Sequence, residues 1–288
     1  MDERHAPAPV GAGVFDRDTA VRLEREEGPR CLFAAEVADG WRAGRGPHGG
    51  YLAAMLLRAL TETVADPARS ARSLTIHYAR APEPGPVTIE TRIERAGRSL
   101  STLSARMKQD GRLVALVLSA FSTPWSGLET ADLVMPTVAP PDATRIGGSL
   151  LEHGAPPFTR HIVLQTRIGG VPFASPEQPM EVGGWLGFTE PRPIDALALA
   201  FFSDALIPAP FMRSKHPNPA PTVDLTVHFR TALPRPRQAE EHELCLIRVR
   251  AGVIHEGFFD EDSTIWAPDG TLLAQSRQLA LLLPVPSE

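Results

Sequence analysis

The sequence predicts an α+β fold of two successive units, each an antiparallel sheet wrapped around one long helix. Three observations carry that expectation. The C-terminal half repeats the order of the N-terminal half; each half holds one strongly apolar helix; and each then continues as strands alone, without the strand–helix alternation of a parallel sheet. Three landmarks show the repeat. His77 and His228 lie 228 − 77 = 151 positions apart, Gly97 and Gly252 lie 252 − 97 = 155 apart, and the Asp110-Gly111 and Asp269-Gly270 turns lie 269 − 110 = 159 apart. The slow drift fits small loop insertions in one unit copied once, and a repeat of this length is domain-sized. Two such units are expected to join their sheets and to form a site between them.

The first unit opens with a strand at residues 32–37, ahead of Gly40 and Trp41. Residues 51–60 are dominated by Ala, Leu and Met, good helix formers, and are apolar nearly all round, which argues for burial on several faces. A strand at residues 73–78 leads through a Pro/Gly turn at 82–86 into a strand at 87–93. Gly97, an alternating run and the Asp110-Gly111 turn precede a last strand at 113–121. The second unit starts with a strand at 182–188 around Trp185 and a helix at 195–206, with Pro193 just ahead of it and Asp195 as its cap. A strand at 224–229, the proline turn at 234–236, a strand at 244–249, Gly252 and the Asp269-Gly270 turn then lead to 272–283. Prolines at 136–141 and 156–157 bracket a stretch of neither period. The expected division is residues 1–125 for the N-terminal unit, 126–158 for a Pro-rich, surface-lying linker and 159–288 for the C-terminal unit.

Composition narrows the function classes. With 43% hydrophobic and 22% charged residues over 288 positions, the chain can bury a core in each unit. Net charge is −5, and the nearest basic clusters, Arg235 with Arg237 and Arg248 with Arg250, hold two arginines each, so nucleic acid is not an expected partner. Asp204 and several prolines interrupt the most apolar region, which excludes a helical membrane span. The N-terminus lacks the basic-then-apolar order of a signal peptide, and Cys31 and Cys245 read as buried free thiols, so a cytoplasmic protein is expected. Gly44-Arg-Gly-Pro-His-Gly fits the spacing of a dinucleotide loop, but the strand after its helix begins a strand-only series, not a βαβ unit. There is no G-x-S-x-G elbow, His255-Glu256 lacks a zinc helix's second histidine, and no Cys/His cluster has metal spacing. Neither a metal nor a cofactor is expected.

Gly46-Pro-His-Gly-Gly-Tyr-Leu-Ala-Ala at the opening of the first helix, Arg80-Ala-Pro-Glu-Pro-Gly-Pro-Val, Arg95-Ala-Gly-Arg-Ser and Gln109-Asp-Gly together resemble the acyl-CoA thioesterase II family of double hot-dog proteins. In the second half, Asp204 late in the helix, Thr222-Val-Asp224 before the strand and Gln278 in the last strand match that family's catalytic trio in order and context. The resemblance implies two fused hot-dog units, an acyl-CoA substrate, hydrolysis to a carboxylic acid and free CoA, and a place in lipid metabolism. Two alternatives share the fold: a non-catalytic module that binds acyl-CoA or an acyl carrier, and an acyl-CoA hydratase or dehydratase, faintly suggested by His216-Pro-Asn-Pro.

Physical chemistry gives each candidate a role. Gly49 and Gly50 lack side chains, so a thioester oxygen can approach the free amides and the dipole at the helix start. His48 stands beside them, as a cap or against the substrate. Asp204 is a carboxylate inside an apolar helix; it needs partners or a raised pKa, which suits a general base. Thr222 and Gln278 cannot act as bases near neutral pH but can hold a water, and alternation places Gln278 on the face of Ser276 and Ala280. The trio thus points to direct attack by an oriented water. The first unit lacks it: Gln278 corresponds to Ser119 (278 − 159 = 119) and Thr222 to Ala71 (222 − 151 = 71), so one site per chain is expected. Arg98 is a candidate for CoA phosphate. Exposed sheet edges that pair again would make a homo-oligomer.

Overall fold

The computed structural model describes residues 13–44, 46–142, 155–234 and 242–284. A short helix α1 (Val14–Asp18) leads into β1 (Val21–Glu27) and β2 (Arg30–Val37). The paired stubs β3 (Arg42–Ala43) and β4 (Gly46–Pro47) precede α2 (Gly49–Val64), after which β5 (Ser70–Tyr78), β6 (Gly85–Ala96), β7 (Leu100–Gln109) and β8 (Arg112–Ser122) complete the first unit. The second repeats the plan with β9 (Ile162–Gly169), β10 (Glu181–Phe188), α3 (Ala196–Phe202), β11 (Thr222–Phe229), β12 (Cys245–Arg250), the stub β13 (Ile254–His255), β14 (Phe258–Trp266) and β15 (Leu272–Leu281).

The two units share one antiparallel sheet in the order β1-β2-β6-β7-β8-β5-β11-β15-β14-β12-β10-β9, with β13 hanging from β14. The order reads alike from either end, and β5 and β11 form the seam. There Thr75 pairs with Thr226, and 226 − 75 = 151 equals the offset read from the histidines, so a pseudo-twofold axis passes through that pair. Their hydroxyls are 3.1 Å apart. Both seam strands carry the same irregularity, between Ala71 and Ser73 in β5 and between Thr222 and Asp224 in β11. A shared bulge at equivalent positions is what a duplicated unit leaves behind.

Helix α2 is the core of the first unit. Leu52, Met55, Leu56, Leu57 and Leu60 are buried, and the helix packs on the concave face of β5–β8 and against α3. Its apolar circumference therefore has the multi-sided burial that the sequence implies. The second unit departs from expectation. Instead of a long helix over 195–206, α3 spans seven residues, capped by Asp195, whose side chain accepts the Ala198 amide. Pro208 supplies a reason for the early stop. In a continued helix its missing N–H would leave the carbonyl four residues earlier, that of Asp204, without a donor, and its ring would clash there. The chain instead turns at Ser203 and Asp204, and the Ser203 hydroxyl bonds back to the Leu199 carbonyl at 2.7 Å.

The expected linker is described as far as residue 142; residues 143–154 lie outside the described residues, as do 235–241, which hold most of the proline turn at 234–236. Residues 123–142 form neither helix nor strand, and the part from Met135 to Asp142 packs against β9, β10 and β12. The Trp185 indole donates to the Ala139 carbonyl at 2.9 Å, and Gln165 brackets the Asp142 backbone from both sides. Met135 and Val138 pack on Trp185, Leu244 and Leu246. Cys31 and Cys245 are buried and unbridged. Among the described residues, no helix is long and apolar enough to cross a membrane.

Candidate active site

The end of α3 abuts the start of α2, and Asp204 lies at that junction. Its side chain keeps only 15% of its accessible surface. One carboxylate oxygen, Oδ2, accepts the Gly50 amide at 2.9 Å, and its backbone carbonyl, freed by the stop before Pro208, accepts from His48 Nε2 at 2.8 Å. The other ring nitrogen, Nδ1, accepts the Tyr51 amide at 3.2 Å, so the imidazole proton belongs on Nε2. Burial holds the imidazole below its usual pKa, against the pull of the Asp204 charge. His48 is thus a neutral cap of α2 that also fastens the Asp204 backbone.

Burial raises the Asp204 carboxyl, while His48 and the amides of Gly50 and Gly49 counter that push. Among the described residues it has no Lys or Arg partner. The sequence reading had Gly49 and Gly50 facing a thioester oxygen. In the structure their amides address the Asp204 carboxylate instead, because the two helix ends sit too close for anything between them. A Cβ at Gly49 would lie 2.8 Å from Asp204 Oδ2, and one at Gly50 would run into the Phe201 carbonyl oxygen. The α2 dipole that was expected to polarise substrate here stabilises a carboxylate. Tyr78, on the seam strand β5, closes the site's other side. Its hydroxyl donates to the Gly49 carbonyl at 2.9 Å, and burial together with the Asp204 charge lifts its pKa well above the usual phenol range.

Thr222 and Gln278 are brought together. Thr222 opens β11 at the bulge, and its hydroxyl donates to Gln278 Oε1 at 3.3 Å. Gln278, Ser276 and Ala280 are all buried, which places the amide on the inner face as alternation predicts. Neither residue hydrogen-bonds Asp204 directly. Gln278 is instead held by Glu261, which the sequence reading missed and which feels the Asp204 charge without bonding to it. Glu261 stands opposite Gln278 in the β14–β15 register and is 5% exposed. Its Oε1 accepts the Ala209 amide at 2.5 Å, and its Oε2 accepts Gln278 Nε2–H. Burial pushes its carboxyl up to about 7, with the charges of Asp204 and Asp260 adding to the push and the two N–H donors opposing it. A usable signal exists in the sequence: Phe259, Glu261, Ser263 and Ile265 alternate inward, which puts an acid among core positions.

Arg98 is not at this site. It is exposed in the turn between β6 and β7, and its carbonyl accepts from Arg69, which follows the C-terminal end of α2. Asp204 sits at the opposite end of that helix, about 24 Å away along sixteen residues. Arg98 therefore lies outside the helix junction that holds Asp204.

A sheet shared by two helix-bearing units, with a buried carboxylate at the helix junction, defines a double hot-dog protein. A hot-dog protein of unknown function from Alicyclobacillus acidocaldarius has a similar structure, with a TM-score of 0.79 and 28% identity over 95% of this chain and 100% of that one. A putative thioesterase II from Thermobifida fusca is similar with a TM-score of 0.74 and 26% identity, over 96% of this chain and 99% of that one. An uncharacterized protein of Mycobacterium tuberculosis is 25% identical, covering 93% of this chain and 98% of its own length. Residues 37–123 match the acyl-CoA thioesterase N-terminal domain and residues 134–282 the acyl-CoA thioesterase C-terminal domain. The chain belongs to the acyl-CoA thioesterase family.

Proposed function

We propose that the protein hydrolyses an acyl-CoA thioester by direct attack of a water held between Asp204, Thr222 and Gln278. The observation that carries this reading is the buried Asp204 carboxylate, held by helix amides and a neutral imidazole, with no Lys or Arg paired to it among the described residues. Such a group has a raised proton affinity and little competing solvation, the properties of a general base. In the reaction, the water oxygen bonds to the acyl carbon and Asp204 takes the water's proton. The carbon–sulfur bond then breaks, and the CoA thiolate leaves and recovers that proton, giving a carboxylic acid and free CoA. Gln278 Oε1, turned towards Thr222, has a second lone pair to accept the water's other hydrogen and aim its attacking pair.

The test is CoA release, detected as free thiol, across a panel of short, medium, long and aromatic acyl-CoAs. Turnover of at least one class is expected. Tight binding of every thioester with no thiol released would replace the enzyme with a binding module. A change in absorbance at an enoyl double bond, with the thioester intact, would replace hydrolysis with hydration.

A further inference from the structure

Resting on the thioester-hydrolase reading, we propose that Glu261 is a positioning residue: by accepting Gln278 Nε2–H it dictates which way that amide faces, and so presents Oε1 to Thr222 and the reacting water.

The argument begins with placement. Glu261 occupies an inward position of β14, where the register equivalent in the first unit is Leu103: Gln278 pairs with Glu261, its counterpart Ser119 pairs with Leu103. A carboxylate in a position that is apolar in the sister unit carries a desolvation penalty, and no ion pair among the described residues offsets it. Its compensation is two N–H donors, the Ala209 amide and Gln278. Those two bonds impose a direction. An ionised carboxylate only accepts, so the end of Gln278 that faces it must be the NH2, and the oxygen must face the other way. The Thr222 hydroxyl, which donates to that oxygen, agrees with the assignment. The chain of bonds runs Ala209 N–H to Glu261, Gln278 NH2 to Glu261, and Thr222 O–H to Gln278.

Protonation reverses the logic. The Ala209 amide is a donor whatever the pH, so Glu261 Oε1 must go on accepting. An added proton falls on Oε2 and turns it into a donor towards Gln278. The amide must then rotate, which brings its NH2 to the place where a water hydrogen needs an acceptor. The charged groups that act on Glu261 are Asp204, in the turn after α3, and Asp260, its neighbour on β14; both favour the protonated form. Raising the pH therefore locks the productive orientation, and lowering it releases it.

Glu261→Gln tests this at nearly constant volume. Its oxygen must serve Ala209, so its NH2 faces Gln278 and holds that amide in the reversed orientation at every pH. The expected result is a fall in kcat of at least tenfold with KM within twofold of the native value. The acid limb of the pH profile should also move to lower pH, because the ionisation of Glu261 no longer contributes to it. Native kcat and an unmoved acid limb in the variant would overturn the proposal, whereas absence of CoA release in the native enzyme would overturn the hydrolase reading instead. A second measurement needs no variant activity. In the native protein, the Gln278 side-chain amide signals in a nitrogen-edited NMR spectrum should shift with pH through the ionisation of Glu261; signals that stay put from pH 5 to about 8.5, bracketing that carboxyl, would also overturn it.

Discussion

The two units are the same device with different interiors. At four equivalent inner positions the second unit carries Asp204, Thr222, Glu261 and Gln278, and the first carries Leu57, Ala71, Leu103 and Ser119. The helix pair follows from the caps, Asp195 and His48, since 195 − 48 = 147 and 204 − 147 = 57. The other three follow from strand register. The first unit fills these positions with a packed core around a sixteen-residue helix. The second has a helix of seven residues and carries polar side chains at all four positions. The lesson is one of division. One copy supplies the helix whose N-terminus holds the Asp204 carboxylate, and the other supplies the polar groups that would aim a water.

Replacing Asp204 should separate the two halves most sharply. Asp204→Ala is expected to lower acyl-CoA turnover at least about a hundredfold, the scale of a general base. Near-native hydrolysis in a folded variant, measured by thiol release, would move the chemistry elsewhere.

Next in size is the pH dependence of stability. Glu261 has an ordinary value of 4.5 and is raised to about 7 in the fold, so the folded state holds its proton where the unfolded chain loses it. A raised carboxyl contributes stability below its unfolded pKa and loses it as pH rises through the folded one. Unfolding free energy should therefore decline between about pH 4.5 and 7, by on the order of 3 kcal/mol, and Glu261→Gln should flatten that decline. Denaturant titrations at several pH values would show it. Activity should run the other way over the same window, rising as Glu261 ionises, so the working form is the less stable one.

A smaller contrast comes from equivalent substitutions. Gln278→Ala should reduce kcat about tenfold, the value of one well-placed hydrogen bond. Its register counterpart, Ser119→Ala, should stay within about twofold, since the Ser119 hydroxyl bonds only the neighbouring Ser73 carbonyl, at 2.6 Å. Equal losses in both variants would mean that the first unit also works on substrate.

Much of this layout was legible in the sequence because it is written in local signals that the duplication repeats. Asp-Gly turns, the paired histidines and the apolar helix starts locate eight of the larger elements. The edge strands β1 and β9 were not legible. Strand β1, Val-Arg-Leu-Glu-Arg-Glu-Glu, exposes most of its side chains, as an edge can, and carries no buried alternation to read. The length of α3 was overestimated because the apolar run continues past Phe202; the stop comes from a proline six residues on, acting on a carbonyl four residues before it. Asp204, Thr222 and Gln278 could be singled out one by one. Glu261, which holds Gln278, is visible only when β14 and β15 are laid side by side and position 278 is seen to face an acid.

The most direct measurement is a single turnover of acyl-CoA in oxygen-18 water with enzyme in excess. If Asp204 only moves a proton, the carboxylic acid released in that first turnover carries one heavy oxygen and the enzyme carries none. An unlabelled acid, with oxygen-18 appearing in the Asp204 carboxylate, would show that this side chain attacks the acyl carbon itself and would contradict the account.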